Sequence, residues 1–310
     1  MKKNNIIALI LIFFCLQIQS VASTIKFAQI SDLHYQSNIL RTSINYYALP
    51  IIDDVANEIN KDENIMFTLI TGDIINKRKY DDAKFIYKHF NEIFKKPWYS
   101  VFGNHDLGGR ILFKIKLINL LKEINLLFRS ITKDYYYFRP VPDVVFVGLN
   151  SNYTFKRTPL GYISKRQLSF LEDIFKNMKR TDVVVIFMHH TPIKLPFVHK
   201  NHYIVNEEKF MEILRSSKLP ILLLGGHYHT CKIERENNIL KVATPSLASF
   251  PLAFRVIEIK NNEYKVIFKF DYREVNQELQ KNIVQKIKVG TIPAKFGNDE
   301  DRKTVIEIVK

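Results

Sequence analysis

Residues 97–106 read PWYSVFGNHD. The first six suit a buried strand, and the glycine-led polar quartet is the kind of turn that ends one. The same arrangement recurs along the chain. Thr24–Ile30 leads to Asp32-Leu33-His34, and Ile65–Ile70 to Gly72-Asp73. Val183–Met188 leads to His189-His190, and Pro220–Leu224 to Gly225-Gly226-His227-Tyr228-His229. Five predicted strands therefore deliver Asp, Asn and His to one edge of a sheet. In open α/β sheets the ligand crevice lies beyond those carboxyl ends.

The segments between the strands carry helical periodicity. Ile52, Val55, Ala56 and Ile59 recur at helical spacing, as do Ala83, Ile86, Tyr87, Phe90 and Phe94. This β-α-β-α-β order predicts a parallel sheet with helices packed on it. Asp143–Leu149 is a further strand. Ser164 with Gln167 reads as a capping box, ahead of Leu168, Leu171, Phe175 and Met178 on one helical face. From Thr230 to Phe270 short strands alternate with turns such as Glu236-Asn237-Asn238 and Asn261-Asn262, which predicts an antiparallel second half. The expected organisation is one α/β domain over residues 23–276 with a peripheral polar tail over 277–310. Ile111–Phe128 stands apart. It is apolar but interrupted by Lys114, Lys116, Lys122 and Glu123, so it reads as amphipathic helix: core packing, a cap over a site, or a lipid-facing surface.

Composition bounds the rest. Hydrophobic residues make up 46% and charged residues 25% of 310, which excludes disordered, collagenous and coiled-coil classes. Two cysteines exclude a disulfide scaffold. Lys2 and Lys3, the apolar run Ile6–Leu16 and Ser20-Val21-Ala22 follow the order of a secretory signal peptide. Residues 1–22 are expected to be a leader and the protein exported, periplasmic or secreted, with an uncleaved anchor as the alternative. Removing them leaves 288 residues and lowers the net charge from +15 to +13. That excess favours an anionic substrate or an envelope surface. No basic cluster stands out, so a nucleic-acid partner is not expected.

The strand-end residues suit metal chemistry. On an extended backbone, i and i+2 side chains point to the same side, which would make Asp32 with His34, and His227 with His229, two matched pairs of ligands. The donors are imidazole, carboxylate and one amide, with no thiolate. That set suits Mn, Fe or Zn and argues against a structural thiolate zinc site. Seven such ligands exceed the needs of one ion, so two ions are implied.

The order Asp-x-His, Gly-Asp, Gly-Asn-His-Asp, His, Gly-His-x-His between residues 32 and 229 resembles the calcineurin-like metallophosphoesterase superfamily. The resemblance implies a four-layer αββα sandwich, two central mixed β-sheets flanked by helices, with a dimetal centre. It implies that Asp32, His34 and His229 hold one ion, that Asn104, His189 and His227 hold the other, and that Asp73 bridges both. His189 is preferred to His190 because it comes first after its strand. The implied activity is phosphodiester hydrolysis, of a cyclic nucleotide or similar ester, by a metal-bridging hydroxide. His105 would assist the leaving group, and Asp106 would orient its imidazole through a hydrogen bond. A phosphomonoesterase, a lipid-directed phosphodiesterase or pyrophosphatase with membrane-surface contact, and a non-catalytic metal-binding scaffold are the rival readings. Several residues carry weaker signals: Tyr135-Tyr136-Tyr137 as strand, His89, His199 and His202 as surface, Asn150-Ser151-Asn152 as site lining, Arg41 as a phosphate contact and Cys231 as a packed thiol.

Overall fold

The computed structural model describes residues 22–107, 111–128, 133–153, 158–195, 202–287 and 297–310. The proposed leader, apart from Ala22, and His199 lie outside the described residues. Two six-stranded sheets form the centre. In the first, β1 (Ser23–Ile30) runs parallel to β2 (Thr68–Ile70), which runs parallel to β3 (Trp98–Ser100). The crossover helices are α1 (Ala48–Lys61) and α2 (Tyr80–Ile93). The helical quartet α3 (Asn104–Leu107) and then α4 (Ile111–Ile124) follow β3. On the other flank of β1 lie the antiparallel strands β10 (Ala253–Asn261) and β11 (Lys265–Glu274), and the outermost β12 (Thr304–Val309).

The second sheet has β4 (Tyr136–Val141) antiparallel to β5 (Val144–Gly148). Then β5, β6 (Val183–Phe187), β7 (Ile221–Gly225) and β9 (Ile239–Ala243) are parallel, and β8 (Lys232–Glu236) closes the edge as a hairpin with β9. Helices α5 (Lys165–Lys176) and α6 (Glu207–Ser217) cover its outer face. Two short helices, α7 (Gln277–Val284) and α8 (Asp299–Arg302), precede β12. These are the two mixed sheets flanked by helices that the resemblance implied.

The two-residue period of a strand explains the layers. Along β5, Val144 and Phe146 enter the core between the sheets, while Val145 and Val147 face Leu168, Leu171, Phe210 and Leu214 of α5 and α6. Between the sheets, Phe27, Phe67 and Phe146 meet at ring-centroid separations of 5.1–5.5 Å. In α4, Leu117, Leu120 and Leu121 are buried, whereas Ile111, Leu112 and Ile115 are exposed. Among the described residues no helix is long and apolar enough to cross a membrane.

The expected strands begin or end earlier or later by one to three residues, most at β2, where Ile65–Phe67 belongs to the incoming loop. The C-terminal residues do more than hang at the periphery. Thr304–Val309 pairs with β11 from Thr304 to Val309, and Asp301 packs on Cys231 and Arg255.

Candidate dimetal centre

The strand-end blocks converge from both sheets. Asp32 and His34 follow β1, Asp73 follows β2, Asn104 and His105 follow β3, His189 follows β6, and His227 and His229 follow β7. Asp32, Asp73, His34 and His189 are buried. His227, His229 and Asn104 are half-buried, and His105 is exposed at the rim.

The expected extended geometry of the paired ligands is overturned. Asp32, His34, Asp73, His227 and His229 all have positive φ, between 49° and 67°. A non-glycine residue there sits in the sparsely populated left-handed region, which costs of order 1 kcal/mol or more and persists only when neighbours hold it. Here the backbone turns back after β1, β2 and β7, and tertiary hydrogen bonds hold the turns. Asp32 N–H donates to Gly72 O at 3.1 Å, His34 N–H to Asp73 O at 2.9 Å, and Gly226 N–H to His189 O at 2.9 Å. Gly103 is required by close approach, since a Cβ there would lie 2.1 Å from Asp73 Oδ1.

Each side chain is aimed by a second contact. Ser31 Oγ and His227 N–H donate to Asp32 Oδ2 at 2.6 and 3.1 Å. This leaves Asp32 Oδ1 buried without a hydrogen-bond partner, 3.2 Å from His229 Nε2 and 3.8 Å from His34 Nε2. His229 Nδ1 contacts Ser249 Oγ at 2.6 Å, and His34 Nε2 and His229 Nε2 are 3.3 Å apart. His189 Nδ1–H donates to Thr71 O at 2.9 Å, so Nε2 faces Asp73 Oδ2 at 3.2 Å, Asn104 Oδ1 at 3.1 Å and His227 Nδ1 at 3.1 Å. Asp73 Oδ2 also lies 3.7 Å from His34 Nε2, so one carboxylate joins the two groups. Ligand atoms of Asp32, His34 and His229, and of Asp32, Asp73 and His189, lie within 4.8 Å of one another. A buried carboxylate oxygen with no donor, and imidazole nitrogens turned towards each other, fit cations shared between them.

The electrostatics of the two imidazoles differ. Burial pushes the His34 imidazole down to about 4, which leaves its lone pair free for a cation. Burial opposes the charged form of His189 too, but Asp73 outweighs it and raises the pKa to about 9. Burial would raise Asp73, and His189 instead holds it well below the carboxylate range. His190 has a ligand atom within 4.8 Å of those of His189 and His227. Its Nε2–H donates to Pro159 O at 3.1 Å and its Nδ1 pairs with Ser151 Oγ at 2.9 Å, so both nitrogens are engaged. Burial and His189 push its pKa down to about 3.

One expectation fails. Asp106 does not touch the His105 imidazole. Its carboxylate accepts from Gly103 N–H at 2.7 Å and Ile75 N–H at 2.9 Å, and burial together with Asp73 raises its pKa to about 7. Adjacent residues of the short helix α3 point in different directions, so Asp106 turns inward while His105 faces out. His105 Nδ1–H instead donates to Asn76 O at 3.0 Å, and its ring lies 4.6 Å from that of His34. Of the weaker signals, His89 pairs with Asp53 at 2.6 Å, Arg41 sits over Tyr46, and Cys231 is buried. Ser249, Asn76 and Thr71 are the aiming partners that strand-end reasoning misses. Ser249 arrives from a loop twenty residues beyond His229 with no motif of its own. Thr71 and Asn76 act through backbone carbonyls, which residue type does not encode.

Known proteins place this geometry. The calcineurin-like phosphoesterase profile matches residues 25–231, a span that contains every strand-end block. A probable cyclic nucleotide phosphodiesterase of Xenorhabdus bovienii is 24% identical over 229 residues, covering 72% of this chain and 86% of the relative. A probable glycerophosphodiester phosphodiesterase of Arcobacter nitrofigilis is 24% identical over 226 residues, covering 70% and 77%. The crystal structure of a dimetal phosphatase from Danio rerio shares the fold with a TM-score of 0.59 at 17% identity, covering 81% of this chain and 99% of that one. The chain belongs to the calcineurin-like phosphoesterase family and is a metal-dependent phosphoric ester hydrolase.

Proposed function

We propose that the enzyme hydrolyses a small phosphodiester, a cyclic nucleotide or a glycerophosphodiester, with two metal ions. The observation that carries this reading is Asp73, whose Oδ2 lies 3.7 Å from His34 Nε2 and 3.2 Å from His189 Nε2 and so joins two sets of donors. Asp32, His34 and His229 would hold one ion; Asn104, His189 and His227 would hold the other. The diester preference is supported by the two diesterase relatives. Bound there, Mn, Fe or Zn ions supply a water of lowered pKa and neutralise charge on the phosphoryl oxygens.

The chain's own groups do the rest. Ser31, Ser249 and Thr71 orient Asp32, His229 and His189, so their donor atoms meet without reorganisation when a phosphoryl group arrives. His105 is held by Asp73 Oδ1 at its backbone N–H, 2.8 Å, and by Asn76 O at Nδ1. Its Nε2 is the atom that would pass a proton to the leaving oxygen. Asp106 holds the backbone of Gly103, beside Asn104, and is a positioning residue. The order of charge, apolar run and small residues over 1–22 supports export of this enzyme.

The test is a substrate panel on the purified chain with Mn²⁺, with metal content measured in parallel. It comprises bis(p-nitrophenyl) phosphate, p-nitrophenyl phosphate, 3′,5′-cyclic AMP and glycerophosphocholine. Diester turnover at least tenfold above monoester turnover is expected. Monoester turnover alone assigns a phosphomonoesterase and rejects the reading.

A further inference from the structure

The strip Asn150-Ser151-Asn152, just after β5, separates two environments. Ser151 Oγ faces His190, beside the metal centre. Asn150 and Asn152 line a groove of about 640 Å³ between α4 and the start of α5. Only the strip lies between groove and centre: Ser151 Oγ contacts His190 Nδ1 at 2.9 Å, and Asn152 Nδ2 donates to Phe102 O at 2.7 Å, two residues before Asn104. Lys114 and Asn150 both bind the Asp134 carboxylate, which fixes α4 to the strip.

The walls have two characters. Ile111, Ile115 and Ile118 of α4 form an apolar side, and Ile111 and Ile115 are 47% and 48% exposed. Lys133, Lys165 and Arg166 form a cationic side, and among the described residues none of them has an ion-pair partner. Wholly apolar ligands leave the cations unused. A nucleotide or free glycerophosphodiester leaves the isoleucines uncovered. An anionic amphiphile uses both walls.

We propose that the groove holds the monoacylglycerol arm of a single-chain phospholipid. The acyl chain lies along Ile111, Ile115 and Ile118, and the cations draw the anionic phosphodiester to the centre. This rests on the diesterase reading and extends its substrate class from small glycerophosphodiesters to their monoacyl forms.

The experiment compares kcat/KM of the full Mn²⁺-loaded chain on lysophosphatidylcholine, kept monomeric, and on glycerophosphocholine, which differ by the acyl chain alone. Bis(p-nitrophenyl) phosphate reports the centre itself. The expected acylated-to-deacylated ratio is about tenfold or more. Ile115→Asp, and independently Ile111→Asp, should lower that ratio at least about fivefold. Both positions are half-exposed, so these variants are expected to fold. A wild-type ratio near one, or a high ratio that neither variant moves, overturns the groove assignment. So does turnover of bis(p-nitrophenyl) phosphate with neither glycerophosphodiester cleaved. No turnover of any diester with two metals bound overturns the diesterase reading instead.

Discussion

Ser249 Oγ lies 2.6 Å from His229 Nδ1, and this contact turns the opposite nitrogen to within 3.2 Å of the orphaned Asp32 Oδ1. A loop residue outside every motif thus sets the direction of a candidate ligand. Removing such an orienting partner typically lowers metal affinity about 10- to 100-fold. Ser249→Ala should raise the Mn²⁺ concentration that restores activity to chelator-treated enzyme by that factor, and Ser249→Thr should recover most of it. An unchanged Mn²⁺ titration would show that His229 needs no such support.

His105 sits at the rim with its ring 4.6 Å from that of His34 and its Nδ1–H held by Asn76 O. His105→Ala should keep both metals by elemental analysis and lose roughly 10²- to 10⁴-fold in kcat. The loss should shrink on a substrate with a better leaving group, which needs less proton assistance. Collapse of metal content would make His105 a ligand.

Arg255 on β10 is fully buried. Its Nη2 donates to Asp301 O at 2.7 Å and contacts Cys231 Sγ at 3.0 Å, fastening the C-terminal segment beside the strand-end turn of His229. Arg255→Ala leaves a cavity and removes one of two donors to Asp301 O, the other being Cys231 Sγ. A loss of about 2–4 kcal/mol is expected in urea unfolding. Amide exchange should quicken along Thr304–Val309 before it does in β6. A loss under about 1 kcal/mol would mean that the segment is held by its strand pairing alone.

Asp62 ends α1 and accepts from Lys26 Nζ at 2.7 Å and Arg273 Nη2 at 3.0 Å, joining β1 to β11. Partial burial would raise its pKa, but the hydrogen bonds from Lys26 and Arg273 outweigh that and hold it below its ordinary value. A carboxyl depressed in the folded state contributes stability above its unfolded pKa, about 4, and loses it as pH falls through the folded value. Asp62→Asn should therefore cost about 1–2 kcal/mol at pH 7, with the difference from wild type closing towards pH 3. A difference independent of pH would mean that charge plays no part.

The layered architecture was legible in local patterns. Apolar runs such as Val183–Met188 and Ile221–Leu224 are too short for anything but buried strands, and β1, β2 and β3 follow the parallel order their intervening helices predict. The convergence of the candidate site was legible because each polar block follows a strand, and parallel strands of one sheet share a carboxyl end. What misled was backbone conformation. The i, i+2 argument assumes an extended chain, but Asp32, His34, His227 and His229 all lie at positive φ. Nothing in Asp-Leu-His announces that.

By itself, then, the sequence determined the strand-helix order, the edge at which the ligand types gather, and their chemistry, all of which depend on neighbours within a few residues. Only the tertiary structure decided which atom of each side chain faces the centre. His189 and His190 are adjacent and alike, yet one is turned inward by Thr71 O and the other is engaged by Ser151 and Pro159 O. Asp106 is drawn to Gly103 and Ile75 and away from His105. The physical reason is the same in each case. An imidazole or carboxylate takes its direction from its strongest hydrogen-bond partner, and here most of those partners lie tens of residues away in the chain.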